Sequence, residues 1–129
     1  MPLTDRDPEA MLPLTPAVFH ILLALADGER HGYSIMQEIA TQTQGKFRIG
    51  PTTLYRSIKQ MISAGLIVET DERPDPASDD ERRRYYCLTP FGQQVALAEI
   101  RRFERAITLA HRLPGLAGWQ SPLSSEGMV

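Results

Sequence analysis

The stretch at residues 50–66, GPTTLYRSIKQMISAGL, limits the fold of this chain more than any other. Gly50-Pro51 predicts a helix start, because proline at the first helical position has the required φ and lacks only an N–H group that would be unpaired there. Apolar residues then recur at helical spacing on one face: Leu54, Ile58, Met61 and Ile62. Ala64-Gly65 predicts the helix end, since glycine readily adopts the left-handed conformation that closes a helix. The stretch is therefore an amphipathic helix with one face to bury.

The opposite face of this helix carries groups suited to nucleic acid. Its side chains are polar or cationic and none is a carboxylate: Thr52, Arg56, Lys59 and Ser63, with Tyr55 on the flank. Such groups donate to phosphates and to base edges in a major groove. Lys46 and Arg48 precede the helix in a short strand or extended connector, KFRI, and add positive charge where the helix N-terminus already favours a phosphate. The alternative for the helix alone is an ordinary solvated face.

Composition restricts how the chain can bind nucleic acid. Its 129 residues suit a single domain, and 42% hydrophobic with 23% charged residues is typical of a soluble globular protein. The formal net charge is -2 and the pI about 5.9, so any nucleic-acid binding must come from a local basic patch. One cysteine, Cys87, excludes an internal disulfide and favours a reducing cytoplasm. No apolar run approaches a membrane span, and MPLTDRDPEA is not a signal peptide.

Two helices are expected before the amphipathic one and a hairpin after it. Thr15-Pro16 caps a first helix that is apolar over most of its circumference, Phe19 included, so its own domain and either a second subunit or a small ligand must cover it. A turn at residues 29–34 leads into the second helix. Strands are expected at 66–70 and 82–88, joined by the acidic segment 71–81, DERPDPASDDE, as a long, mobile exposed loop.

The return strand of that hairpin begins with three arginines. Arg82, Arg83 and Arg84 are predicted to contact a sugar-phosphate backbone. A solvated edge, neutralised by the neighbouring acids, is the alternative.

The last helix predicts dimerisation. Thr89-Pro90 repeats the cap-plus-proline start, and the helix runs to about Arg112. Apolar residues form an a/d-like seam along it: Ala96, Ile100, Phe103, Ile107 and Ala110. A helix of about 23 residues extends beyond what a small domain can cover, so the seam pairs subunits, although packing against the first helix would also use it.

The expected organisation therefore has four parts. A flexible N-terminal arm occupies residues 1–13, which dock if Met11 and Leu12 find a surface. A winged helix-turn-helix domain occupies 14–89, a dimerisation helix 90–113 and a flexible tail 114–129.

Catalytic and metal-site patterns are missing from the sequence. No nucleophile elbow, phosphate loop or zinc-helix motif is present, which argues against an enzyme. The three histidines, His20, His31 and His111, lack the paired spacing of zinc ligands. No metal or cofactor is expected.

Helix, helix, polar-faced helix, two-stranded hairpin and long helix form a mainly α fold with a small β-hairpin, the order of a winged helix-turn-helix followed by a dimerisation helix. Three ordered blocks, LTPAVFHILLALADGERHGYSIMQEI, GPTTLYRSIKQMISAGLI and ERRRYYCLTPFGQQ, resemble the PadR family of bacterial transcriptional regulators. The resemblance spans about Leu14 to Arg112 and is greatest for the smaller subfamily with a single C-terminal helix.

The resemblance implies a homodimer that binds double-stranded operator DNA and usually represses. It places the helix that begins at Pro51 in the major groove and the hairpin as the wing. The residues that it implicates are Tyr33, Thr52, Thr53, Tyr55 and the wing arginines, with Tyr55 donating to a phosphate. It also implies an apolar cavity at the dimer interface for a small aromatic effector.

Two functional hypotheses follow. The first is a sequence-specific DNA-binding repressor that recognises a pseudo-palindrome. The second is a winged-helix protein-interaction module without specific DNA binding, which the net negative charge and the acidic segment favour.

Overall fold

The computed structural model describes residues 6–75, 78–116 and 118, and side chains of residues 71–82 lie outside that description. The described part contains four α-helices and three β-strands: α1 Pro16–Ala24, β1 Arg30–His31, α2 Gly32–Gln42, α3 Pro51–Ser63, β2 Ile67–Asp75, β3 Ser78–Leu88 and α4 Pro90–His111. Short 3₁₀ turns lie at Pro8–Met11 and Pro114–Leu116. The predicted mainly α winged-helix fold is confirmed. Most of the predicted tail, and the first five residues of the predicted arm, fall outside the described residues.

Two compact units make up the chain, and their boundary lies between Glu99 and Ile100, inside α4. The sequence placed a domain boundary at 89/90 instead. The first turns of α4 belong to the first unit because they carry buried residues, Phe91, Val95 and Ala98 among them.

Threonine–proline pairs begin two of the helices, as the sequence predicts. The Thr15 hydroxyl accepts from the Val18 N–H at 3.2 Å, and the Thr89 hydroxyl accepts from the Gly92 N–H at 2.9 Å. Each bond satisfies a donor that a helix N-terminus otherwise leaves unpaired.

Helices α1, α2 and α3 and the start of α4 surround one apolar core in the first unit. Its members come from every one of these elements and from the strands: Ile21, Leu22, Ile35, Ile39, Leu54, Ile58, Met61, Ile67, Tyr86 and Val95. Of the inward face predicted for α3, Leu54, Ile58 and Met61 are at most 3% exposed, whereas Ile62, which was placed on the same face, is 40% exposed because it lies at the edge of that face. The predicted amphipathic character of α3 is therefore confirmed.

The sheet has three strands where the sequence indicated two. Its order is β1-β3-β2, and β1 pairs antiparallel with β3 through Arg30↔Tyr86 and His31↔Tyr85. Residues 30 and 31 were expected in a turn. A two-residue strand is too short to show periodicity, and it exists because β3 offers it an edge.

The wing strands are longer than predicted. Residues 71–81 were expected to form an exposed loop, but β2 continues to Asp75 and β3 begins at Ser78. The register Glu72↔Arg84 and Arg73↔Arg83 continues the ladder, with irregularities at Glu69/Asp71 and Pro74/Asp75. That prediction was wrong because an antiparallel ribbon needs main-chain hydrogen bonds and no buried face, and the register sets an acidic strand beside an arginine-rich one.

Helix α4 has the predicted extent, Pro90–His111. Its start fits closely against the turn after α3: a Cβ at Gly92 would lie 2.9 Å from the carbonyl carbon of Leu66. Only glycine allows that approach. Among the described residues, none of the helices is both long and apolar enough to cross a membrane.

Candidate nucleic-acid interface

The outer face of α3 is exposed and carries no carboxylate. Thr52, Tyr55, Arg56 and Lys59 are all exposed, and Thr53 is half-buried. Because Leu54, Ile58 and Met61 fix the inner face in the core, the rotation of α3 about its own axis is fixed as well. The helix therefore presents one polar, cationic face outward.

The N-terminus of α3 is open to an anion. Gly50 is its N-cap and makes no side-chain cap hydrogen bond, while Pro51 occupies the first turn. The positive end of the helix dipole is then not offset by a capping oxygen. An anion can approach the first-turn N–H groups of Thr52 and Thr53 here.

The connector before α3, residues 46–49, is not a strand, and its side chains alternate between solvent and the core. Lys46 and Arg48 are exposed, whereas Phe47 and Ile49 pack against the core. The Phe47 N–H donates to the Thr43 hydroxyl at 3.1 Å. The two predicted cations are thus held on the outside by the apolar residues between them.

His20 of α1 supports this connector from below. Its ring centroid is 4.7 Å from that of Phe47. Burial lowers the pKa of His20, and its Nδ1 atom has no hydrogen-bond partner within the described part of the chain. The neutral imidazole therefore acts as an aromatic packing surface.

Tyr55 of α3 lies against the first residue of α2, Gly32, which Tyr33 follows in the chain. Each tyrosine is 50% exposed, although the two come from different helices. The backbone of buried Gly32 lies directly against the Tyr55 ring, since a Cβ on Gly32 would be 2.9 Å from the ring atom Cζ. The His31 Nδ1 atom accepts from the Ser34 N–H at 3.2 Å and caps α2. Two predicted phenols and a second helix N-terminus thus share one surface.

The wing contributes Arg83 to the same surface. Its guanidinium carbon is 5.6 Å from the centroid of the Tyr33 ring, within cation–π range. Arg84 is 66% exposed and its Nε lies 3.8 Å from a Glu69 carboxylate oxygen, an exposed pair worth little in stability. The side chain of Arg82 lies outside the described residues, and its backbone pairs with Pro74.

Tyr86 lies beneath this surface and was not singled out from the sequence. It is 4% exposed, and burial raises its pKa, with further increases from Glu69 and Tyr55 and a decrease from Arg84. It therefore stays protonated at neutral pH and serves as a support. Its position in the apolar half of the β3 pattern, YYCL, was the available signal.

Arg30 is another cation near the site, but its donors are used within the fold. It donates to the Ala24 carbonyl at 2.9 Å and to the Ser34 hydroxyl at 3.2 Å, and it pairs with Glu38 at 3.5 Å. The sequence could not distinguish this arginine from the exposed ones, because only tertiary contacts do so.

The residues predicted to pair subunits divide between the two units. In the first unit, Phe19 is half-buried and Ala96 is 8% exposed, so Ala96 has little surface left for a partner. In the second unit, Ile100, Phe103 and Ile107 are 37–43% exposed and Ala110 is half-buried. The second unit alone therefore leaves a row of apolar side chains open to solvent.

No group of three or more metal-ligating side chains occurs among the described residues. The thiol of Cys87 is free and half-buried in β3. Nothing in the described arrangement resembles a catalytic cluster.

Comparison with known proteins identifies the family. The sequence profile of the transcriptional regulator PadR-like family matches residues 21–98. The transcriptional regulator Rv3488 of Mycobacterium tuberculosis is 37% identical over 83 residues, which cover 64% of this chain and 70% of that protein. An uncharacterised 37.1 kDa protein of transposon TN4556 from Streptomyces fradiae is 36% identical over 75 residues, 58% of this chain, and the chain spans only 19% of its length.

A solved structure agrees in fold. A PadR family transcription regulator of Clostridium difficile R20291 superposes with a TM-score of 0.62 at 21% identity, covering 76% of this chain and 97% of that one. At this identity the similarity shows the shared fold only. The family profile matches more than half of the chain, and the fold agrees with it. The chain therefore belongs to the PadR-like family of transcriptional regulators, and it is a regulator, not an enzyme.

Proposed function

We propose that this regulator binds double-stranded DNA sequence-specifically through α3, the N-terminus of α2 and the wing. The observation that carries the proposal is the exposed, carboxylate-free face of α3 beside the Tyr33, Tyr55 and Arg83 surface. Base edges are read by Thr52, Arg56 and Lys59 in the major groove. Phosphates are held by the phenols, by Lys46 and Arg48, and by the wing arginines.

Footprinting on the DNA upstream of the regulator's own gene tests this function. The expected result is protection of a pseudo-palindrome whose half-site centres are about 10–10.5 base pairs apart, or multiples of that. Failure to protect any site at moderate salt contradicts sequence-specific binding.

Alanine at Arg56 or Lys59 then separates two kinds of contact. We expect each replacement to weaken binding by about 1–3 kcal/mol if the side chain reads a base, with relaxed specificity at one position. A lost phosphate contact instead weakens all sequences alike and lowers the salt slope by about one per site. Arg105→Ala is the matched control, because it removes an exposed cation from the second unit. Wild-type affinity in both α3 variants would contradict the assigned reading face.

We further propose a homodimer that represses. The exposed row formed by Ile100, Phe103 and Ile107 supports pairing, because apolar side chains at this spacing gain most from burial against a second copy. Two reading heads then match the two half-sites of a palindrome. Sedimentation equilibrium is expected to give twice the chain mass, and a monomer at operator-binding concentrations would contradict the pairing. A promoter–reporter assay tests repression, and the cytoplasm is the expected compartment.

A small aromatic effector at the subunit interface is the regulatory part of the proposal. It rests on the apolar surface that α1 and α4 offer, including half-buried Phe19. A thermal-shift screen with flat aromatic compounds is the test, and a hit must also lower operator affinity. Silence across a broad panel would indicate a regulator without such an effector.

The protein-interaction module remains the second candidate, supported by the net charge of -2 and the acidic run DERPDPASDDE in the wing. A pull-down that returns one stoichiometric protein, with DNA affinity low and sequence-independent, would favour it over the first.

A further inference from the structure

Helix α3 lacks a cation at its own C-terminus. No basic residue occurs in its last turn, and it ends at Ser63 with Ala64 as the C-cap. The C-terminal carbonyl groups of a helix carry partial negative charge and favour a nearby cation. A cation supplied from elsewhere in the chain would therefore stabilise this end of α3.

The N-terminal arm supplies a cation, Arg6, to the C-terminal end of α3. The Nη2 atom of Arg6 donates to the carbonyl oxygen of Ala64, across a separation of 58 residues. A second guanidinium nitrogen, Nη1, occupies the space beside Gly65, where a Cβ would lie 2.7 Å from it. Gly65 has a φ of +78°, so glycine is needed here both for the backbone and for the room that it leaves.

The same guanidinium also reaches α4. Its central carbon lies 4.0 Å from the centroid of the Phe91 ring, which is 8% exposed and belongs to the first turn of α4. Arg6 therefore bridges the end of α3 and the start of α4 by a charge-assisted hydrogen bond and a cation–π contact.

The arm that carries Arg6 is itself anchored to the first unit. The Asp7 carboxylate accepts from the Glu9 N–H at 3.0 Å and starts the 3₁₀ turn at Pro8–Met11. Met11 and Leu12 then pack against the core. The Leu14 N–H donates to the buried Glu99 carboxylate at 2.9 Å. Arg6 is thus held close to its position before any DNA binds.

We propose that Arg6 is a positioning residue for DNA recognition: it fixes the C-terminal end of α3 against α4 and so sets the angle at which the α3 face meets the groove. The proposal rests on the DNA-binding function proposed above. Arg6 acts through α3 and does not itself contact DNA, so its loss weakens operator binding without removing a phosphate contact.

Salt dependence of operator binding distinguishes positioning from direct contact. With Arg6→Gln we expect operator affinity to fall about tenfold, because a helix-terminal charge and a cation–π contact are lost in each subunit. The slope of log affinity against log salt should stay at the wild-type value, whereas loss of a phosphate contact would lower it by about one per site. Arg105→Gln is the control for the change in charge alone and should bind as the wild type does.

A double-mutant cycle tests the bridge to α4. Phe91→Leu keeps an apolar side chain but removes the ring, and we expect it to weaken operator binding as well. The effects of Arg6→Gln and Phe91→Leu should be less than additive, because each removes the same contact. Thermal unfolding first checks that each variant folds. Arg6→Lys, which retains the charge, takes the place of Arg6→Gln if the glutamine variant does not fold. The lysine variant should bind more tightly than the glutamine variant, or more tightly than Arg6→Ala if the glutamine variant is unfolded.

The outcomes distinguish failure of the positioning role of Arg6 from failure of the proposed DNA-binding function. If the wild-type protein binds no specific site, the proposed function fails and Arg6 has nothing to position. If the wild type binds specifically and Arg6→Gln binds equally well, the positioning role is wrong. A weakened variant with a reduced salt slope assigns Arg6 to direct phosphate contact, which also overturns it.

Discussion

Replacing Gly32 with alanine should separate DNA binding from folding. Gly32 opens α2 and lies beneath Tyr55, the phenol proposed to donate to a phosphate. An alanine Cβ there would be 2.9 Å from Cζ and 3.1 Å from Cε1 of Tyr55, and closer still to the hydroxyl. The obstacle is the far end of an exposed side chain, so the Tyr55 ring can move away while both backbones stay in place.

Gly32→Ala is expected to change operator affinity and folding stability by different amounts. Ordinary contact begins near 3.4 Å, so Cζ must move by about half an ångström and the hydroxyl by more. A hydrogen bond to a charged group contributes about 1.5–3 kcal/mol, and its partial loss predicts about tenfold weaker operator binding. Stability should not fall, because alanine in a first helical turn is favoured over glycine by up to about 1 kcal/mol.

Fluorescence anisotropy with the footprinted operator, together with urea denaturation, measures the two effects. Gly115→Ala is the matched control, since a Cβ at Gly115 meets no atom within 4 Å. In the Tyr55→Ala background the Gly32→Ala change should have no further effect on affinity. Wild-type affinity in Gly32→Ala, or full additivity with Tyr55→Ala, would refute the view that Gly32 sets the position of Tyr55.

Two further predictions concern stability. Gly92→Ala should lower the free energy of unfolding by about 3 kcal/mol in urea denaturation, because its Cβ would meet the Leu66 backbone, which cannot rotate away. Gly115→Ala is the control, and an equal loss of stability in both variants would contradict this close approach. For His20, burial lowers the folded-state pKa below the ordinary 6.5. Below about pH 6.5 the unfolded chain therefore binds a proton that the folded protein does not, so stability falls as the pH falls. His20→Leu should flatten that acid-side slope, and an unaltered slope in His20→Leu would exclude His20 as its source.

The helices could be predicted from the sequence because their signals are local. Proline and threonine at the starts of α1 and α4, and Pro51 in α3, act within one turn of the residues that they order. The inward face of α3 followed from periodicity alone. These signals give the type and order of the elements, and hence the family fold.

The strands were predicted less well because their partners decide them. Acidic residues and a proline, Pro74, favour a loop at 71–75 by composition, yet the backbone pairs with β3 as far as Asp75. Likewise β1 exists only through its pairing with Tyr85 and Tyr86. A propensity scale evaluates one segment at a time and cannot register an edge supplied by a distant part of the chain, as Tyr86 supplies one to Arg30.

The candidate site shows the same division between local and tertiary information. The residues proposed to contact DNA were named from the sequence, Arg56 and Lys59 by their chemistry and helical phase, which are local, and Tyr33 and Thr53 by the family resemblance. The residues that hold them in place could not, since Gly32 and Gly92 are distinguishable from other glycines only by the atoms that approach them, and Gly65, although predicted to end α3, gives no sign of the guanidinium beside it. Arg6 similarly differs from any arginine in a polar arm only by reaching Ala64. Because a substitution at Gly65 leaves the surface charge unchanged and displaces Arg6, it would alter where the outer face of α3 lies without altering the groups on that face, and affinity would be lost with the salt slope intact.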